Sequence, residues 1–171
     1  MNRWRTSTFV LAAVVGVLLV QAAFAGGGPT VTSVSGKGAT RTKIIRSIQQ
    51  QATSSATFVP IPGIATTISV PAGTRAIIKV EFFARSFCFG INPRCAVRIR
   101  IGGANAHPNN WDLPFDAGES NNDHTEAHAT QGSSNVLGTG SYTVRVQWKV
   151  DDAANSFSID GFSMSVERIR V

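Results

Sequence analysis

The sequence predicts an all-β protein built as an antiparallel β-sandwich. Three observations carry this expectation. Apolar residues recur with a period of two in segment after segment, turn-forming Gly, Pro, Asn and Asp separate those segments, and no stretch keeps a clear 3.6-residue apolar period.

The first 25 residues stand apart from that pattern. Arg3 and Arg5 precede an uncharged apolar run from Phe9 to Val20, and Ala23-Phe24-Ala25 supplies small residues for cleavage. We read residues 1–25 as a secretory signal cut after Ala25. The run is too short to span a bilayer, and no later run approaches spanning length. The expected localisation is extracellular or periplasmic. Arg3 and Arg5 are two of the 16 basic residues, so 14 remain against 10 acidic ones, a net of +4 after cleavage. That mild charge excludes no partner class and demands none.

Residues 26–55 read as a flexible or partly ordered lead-in. Gly, Ser and Thr dominate its start. From Arg41 to Gln51, Ile44, Ile45 and Ile48 fit either one face of a short helix or part of a first strand. The sandwich domain is expected over residues 56–171. Phe58-Val59 and Thr66 to Val70 are short strand candidates, separated by Pro60, Pro62 and Gly63. Ala76, Ile78, Val80, Phe82 and Ala84 then alternate with a mostly polar set. Val97, Ile99 and Ile101 do the same, as do Tyr142, Val144, Val146, Trp148 and Val150. In the last segment the apolar parity switches at Asp160-Gly161. This predicts one long strand with a glycine bulge rather than a hairpin, because the piece before it is very short.

Cys88 and Cys95 are the two cysteines. In an exported chain an even, close pair predicts a disulfide. Gly90, Asn92 and Pro93 lie between them, so the bridge is expected to staple the base of a hairpin. The spacing is not C-x-x-C and no third ligand is adjacent, which argues against redox or metal roles.

Chemistry concentrates between Gly102 and Gly140. Asp112, Asp116, Glu119, Asp123 and Glu126 are half the acidic residues, and His107, His124 and His128 are all the histidines. Three readings stay open. As a sugar site, Trp111 offers an apolar platform beside the donors and acceptors of Asn109, Asn110 and Asp112. As a metal site, His107, Asp123 and His124 would take Ca²⁺ or Zn²⁺ if the loop folds back. On a strand, His124 and His128 would share a face but sit ~13 Å apart. In the third reading Trp111, Leu113 and Phe115 plug one end of the core and the polar residues solvate loops. No EF-hand, H-E-x-x-H or G-x-S-x-G pattern occurs, and no cofactor is indicated. The outward cations Arg98, Arg100, Arg145 and Lys149 carry no interleaved aromatics, so specific nucleic-acid binding is not expected.

The segments FVPIPG at Phe58–Gly63, VRIRIGG at Val97–Gly103 and GSYTVRVQWKV at Gly140–Val150, with the closing Ile159–Ile169, resemble jelly-roll sandwiches of the C1q/TNF-like kind. Such domains occur in exported bacterial proteins and phage appendages. The resemblance spans roughly residues 56–171 and implies a jelly-roll architecture and a homotrimer. It brings no catalytic set with it. The expected function is a non-enzymatic binding module for a glycan or protein surface. The alternative is a small extracellular polysaccharide hydrolase that uses carboxylates from 112–126.

Overall fold

The structure, a computed structural model, describes residues 30–35, 40–108, 114–118 and 125–171, with 30–35 and 40 described as backbone only. The strands are β1 (Thr30–Ser35), β2 (Thr40–Ser47), β3 (Gln51–Thr53), β4 (Val59–Val70), β5 (Ala76–Phe89), β6 (Cys95–Ile101), β7 (Ala104–Asn105), β8 (Pro114–Asp116), β9 (Glu126–Ser133), β10 (Gly140–Val150) and β11 (Ser156–Arg170). They form two antiparallel sheets. Sheet A runs β1-β2-β11-β5-β9, with β3 also on β11, and sheet B runs β4-β10-β6-β7, with β8 also on β6. The expected all-β sandwich is therefore present.

The long strands form where alternation gives one buried face. On β10, Val144, Val146, Trp148 and Val150 are buried and Thr143, Arg145, Gln147 and Lys149 are not. On β5, Val80 and Phe82 are wholly buried, and on β6 Val97 and Ile99 nearly so. The two inner faces meet over an aromatic centre. Trp148 of sheet B lies 5.4 Å from Phe157 of sheet A, and Phe115 lies 6.2 Å from Phe157 and 5.6 Å from Phe82. Of the three plug residues, Phe115 is buried in the core. Trp111 and Leu113 lie outside the described residues. β11 is a single long strand whose register shifts between Ile159 and Gly161, the expected bulge.

Four details differ from the sequence reading. First, the lead-in contains strands β2 (Thr40–Ser47) and β3 (Gln51–Thr53), both paired to β11. Ile45 is wholly buried there, while Ile48 is 90% exposed, so the three isoleucines do not share a helical face. The sandwich thus starts before residue 56. Second, β4 is one continuous strand. Its prolines are tolerated because it lies at the sheet edge, and its register on β10 slips across Ile61–Ile64, with Gly63 at φ 74°. Third, Glu126–Ser133, which shows no apolar alternation in sequence, is strand β9, held by an eight-residue ladder on β5. Fourth, Cys88 and Cys95 are bonded, but not across a hairpin. β5 belongs to sheet A and β6 to sheet B, so the bridge staples an arch between the sheets. From β8 onward the chain also changes sheet at each step, β9 in A, β10 in B and β11 in A.

The arch is held a second way. The Asn155 side-chain carbonyl accepts from the Ile91 amide at 3.2 Å, and an Asp151 carboxylate oxygen accepts from the Arg94 amide at 3.2 Å and the Asn155 amide at 2.8 Å. Partial burial pushes the Asp151 carboxyl up, but these hydrogen bonds outweigh it and hold the group below its ordinary range. Gly90 is required at the crossing, because a Cβ there would lie 1.8 Å from the Asn155 oxygen.

Candidate functional site

β5 builds the candidate site. Its inward residues fill the core, and its outward residues are Ile77, Lys79, Glu81, Phe83, Arg85, Phe87 and Phe89. Three aromatic rings therefore stand on the outer face of sheet A. Phe83 is 46% and Phe89 55% exposed, and Phe87 stacks on Phe89 with ring centroids 6.0 Å apart. Apolar rings grouped on one strand and exposed to water carry a hydration cost that a binding partner relieves.

The neighbouring strands leave these rings standing clear. Phe83 is flanked by Ser163 on β11 and Ala129 on β9, Arg85 by Gly161 and Ala127, and Phe87 by Ser158 on β11. These side chains are too short to reach the height of a phenylalanine ring, so β5 forms a ridge with troughs beside it. A hollow of about 610 Å³ surrounds Phe83, lined also by Glu81, Gln131, Ser163 and Pro108. One of about 370 Å³ continues toward Lys79, His107 and Ile169, and one of about 190 Å³ lies beside Phe87, Arg85 and Asp160. The largest is of the size that ordinary ligand pockets have. Pro108 and Gln131 border both of the larger hollows.

The charges on this face are balanced. Lys79 Nζ lies 2.8 Å from Glu81 Oε1, and Arg85 lies 3.2 Å from Asp160. The Glu81 hydrogen bond and charge raise the Lys79 pKa above its ordinary value. Serine hydroxyls and the Gln131 amide supply neutral donors and acceptors between the rings and the ion pairs.

The loop residues singled out by sequence are placed as follows. His107 is exposed. Its backbone pairs with Ser133 at the β9 edge, and its peptide bond to Pro108 is cis. Asn109, Asn110, Trp111, Asp112, Asp123 and His124 lie outside the described residues. Among the described residues, no three His, Cys, Asp or Glu side chains come together to hold a metal ion. His128 packs its ring 5.5 Å from Phe115, with Nε2 3.3 Å from Glu126 Oε2.

Of the loop carboxylates that are described, Asp116 is buried and accepts from the Ser86 hydroxyl at 2.7 Å, whereas Glu126 is exposed. Asp116 thus ties β8 to β5 beside the disulfide. Ser86 is 0% exposed, so Asp116→Ala strands a buried hydroxyl and is expected to cost about 1–3 kcal/mol. Urea unfolding of Asp116→Ala, Ser86→Ala and the double variant checks this, with the double costing less than the sum.

The outer-face rings are the feature that sequence reasoning passed over. The signal was present, since three of the seven outward residues of β5 are Phe where a solvated face would carry polar groups.

No family profile matches the chain, and no curated protein does. The chain is similar to the CBM22-1 xylan-binding domain of Xyn10C from Paenibacillus barcinonensis, with 12% identity, 82% of each chain covered and a TM-score of 0.28. Among the described residues, no helix is long and apolar enough to cross a membrane.

Proposed function

We propose that this chain is an exported, non-enzymatic glycan-binding module that holds a neutral polysaccharide against the outer face of sheet A. The observation that carries the proposal is the ridge of Phe83, Phe87 and Phe89 set among serines and charge-balanced pairs. A sugar ring presents an apolar face of C–H groups with hydroxyls at its rim. Aromatic rings cover the first, and Ser158, Ser163, Ser165 and Gln131 can bond the second. Phe83 and Phe87 are four residues apart on one strand, ~13 Å, so a ligand touching both is a chain of sugars rather than a monosaccharide. Neither Lys79 nor Arg85 offers an unbalanced charge, which favours a neutral polymer.

The loop residues enter this proposal through their nearness in sequence to Pro108. Pro108 lines the main hollow, and Asn109, Asn110, Trp111 and Asp112 follow it in sequence. We assign Trp111 a stacking role and its amide neighbours an orienting role. Within the same proposal we read the strand order β2-β11-β5-β9 facing β4-β10-β6-β7 as a jelly roll. The signal segment 1–25 and a homotrimer remain part of the proposal, read by N-terminal sequencing and by oligomer mass. Of the carboxylates on which the hydrolase alternative draws, Asp116 is committed to Ser86, and Asp112, Glu119 and Asp123 lie outside the described residues.

Calorimetric titration of cello-, xylo- and manno-oligosaccharides tests the proposal. Phe83→Ala is expected to weaken the best ligand about tenfold, with no new reducing ends released. Affinity unchanged in both Phe83→Ala and Phe87→Ala would overturn it.

A further inference from the structure

The opposite face of the sandwich has a different electrostatic character. On the outer face of sheet B, Arg100 of β6 stands directly across from Arg145 of β10, and one row along Arg98 stands across from Gln147. Lys149 completes the set. Like charges placed directly opposite on neighbouring strands repel and destabilise the sheet. The ion pairs seen among the described residues, Lys79–Glu81, Arg85–Asp160 and Glu126–His128, are all on sheet A and do not relieve that repulsion.

Two of these cations already have occupations. Arg98 Nε donates to Gln147 at 2.8 Å, and both Arg98 and Lys149 lie over the Phe58 ring, at 4.1 and 4.9 Å from its centroid. The weight therefore falls on Arg100 and Arg145. The Arg100 guanidinium donates to the Gly103 carbonyl, which anchors it at the sheet edge. Arg145 is flanked on β4 by Ala65, too short to screen it, and the next row carries Thr143 opposite Thr67. The result is two half-buried arginines at directly opposed strand positions, with hydroxyls one step along the strand.

We infer that this face binds an anionic polysaccharide, with Arg100 and Arg145 holding its acid groups. An acid group lying between the two guanidiniums would turn their repulsion into two charge-assisted hydrogen bonds. The choice of polysaccharide over nucleic acid rests on Phe58. Single-stranded nucleic acid needs bare rings on which bases stack, and the ring on this face is covered by Arg98 and Lys149. The inference is independent of the neutral-glycan reading of sheet A.

Affinity electrophoresis and calorimetry of the full chain across a salt series test it, with polygalacturonate as the carboxylate probe, dextran sulfate as the sulfate probe and oligo-dT as the nucleic-acid probe. Binding to at least one acidic polysaccharide is expected, and which of the two is stronger identifies the acid group. Arg145→Gln should weaken it about threefold or more, and Arg100→Gln with Arg145→Gln together should lower the log–log salt slope by about two. Arg145→Lys should keep most of the binding, and Phe83→Ala all of it, which separates this face from sheet A. Amide shift mapping on the unmodified protein supplies a readout that does not depend on any variant folding, with shifts expected on β6 and β10. The inference is overturned by shifts confined to β5 and β9, by an unchanged salt slope in the double variant, by absence of binding to both polysaccharides at low salt, or by oligo-dT binding more tightly through the same arginines.

Discussion

Trp148→Ala is expected to lower the stability of this domain by about 3–5 kcal/mol, the largest loss for any single position. Trp148 is the largest of the wholly buried side chains, and its ring contacts Phe157 across the gap between the sheets. Truncation removes the apolar area and leaves a void bordered by two sheets. Those sheets cannot close on it without breaking their own ladders. Gln147→Ala, on the opposite face of the same strand, removes one half-buried hydrogen bond to Arg98 and should cost about 1 kcal/mol or less. Denaturant unfolding of the two variants side by side reads both values. Comparable losses would mean that β10 presents its other face to the core.

Removing the disulfide with Cys88→Ala and Cys95→Ala should cost about 2.5 kcal/mol on the chain-entropy account of so short a loop. Alanine is the right replacement, because both cysteines are buried and serine would strand a hydroxyl. The fold should survive. The Asn155 carbonyl still holds the Ile91 amide, and Asp151 still holds the Arg94 amide, so the arch keeps its course without the sulfurs. A lower unfolding midpoint with unchanged denaturant dependence is the expected result. Loss of the folded state altogether would show that the arch hydrogen bonds do not stand alone.

The long strands were legible because each has a single buried face. Val80 and Phe82, or Val144 and Val146, cannot be exchanged with their neighbours without exposing the core. The bulge in β11 was legible for the same reason, since its apolar parity changes at Asp160-Gly161. β9 was not, because Glu126–Ser133 holds almost no large apolar residue. It is a strand because β5 offers it a ladder. Its inner face needs only to be small where Gly132 meets Ala106, with a Cβ there falling 2.8 Å from the alanine methyl, and flat where His128 meets Phe115. β2 was ambiguous because Ile44, Ile45 and Ile48 satisfy two periods, and tertiary pairing with β11 chooses between them. The candidate site was missed because alternation alone identifies which residues face out. It does not distinguish an outward phenylalanine that is tolerated from three that share a ridge.

The place of β11 has a consequence for how the chain comes to be folded. It is the last strand in sequence and a central one in sheet A, with β2 and β3 on one side and β5 on the other. During synthesis, β4, β6 and β10 are all available once residue 150 has emerged, so sheet B can assemble early. β2 and β5 then have no strand between them, and of sheet A's core only the β5–β9 pair is available to cover the inner face of sheet B. Pairing so distant in sequence is slow to form, and here it must also wait until residues 156–170 have been made. Until residues 156–170 arrive, sheet A stays divided into a β1-β2 part and a β5-β9 part, and β11 joins them.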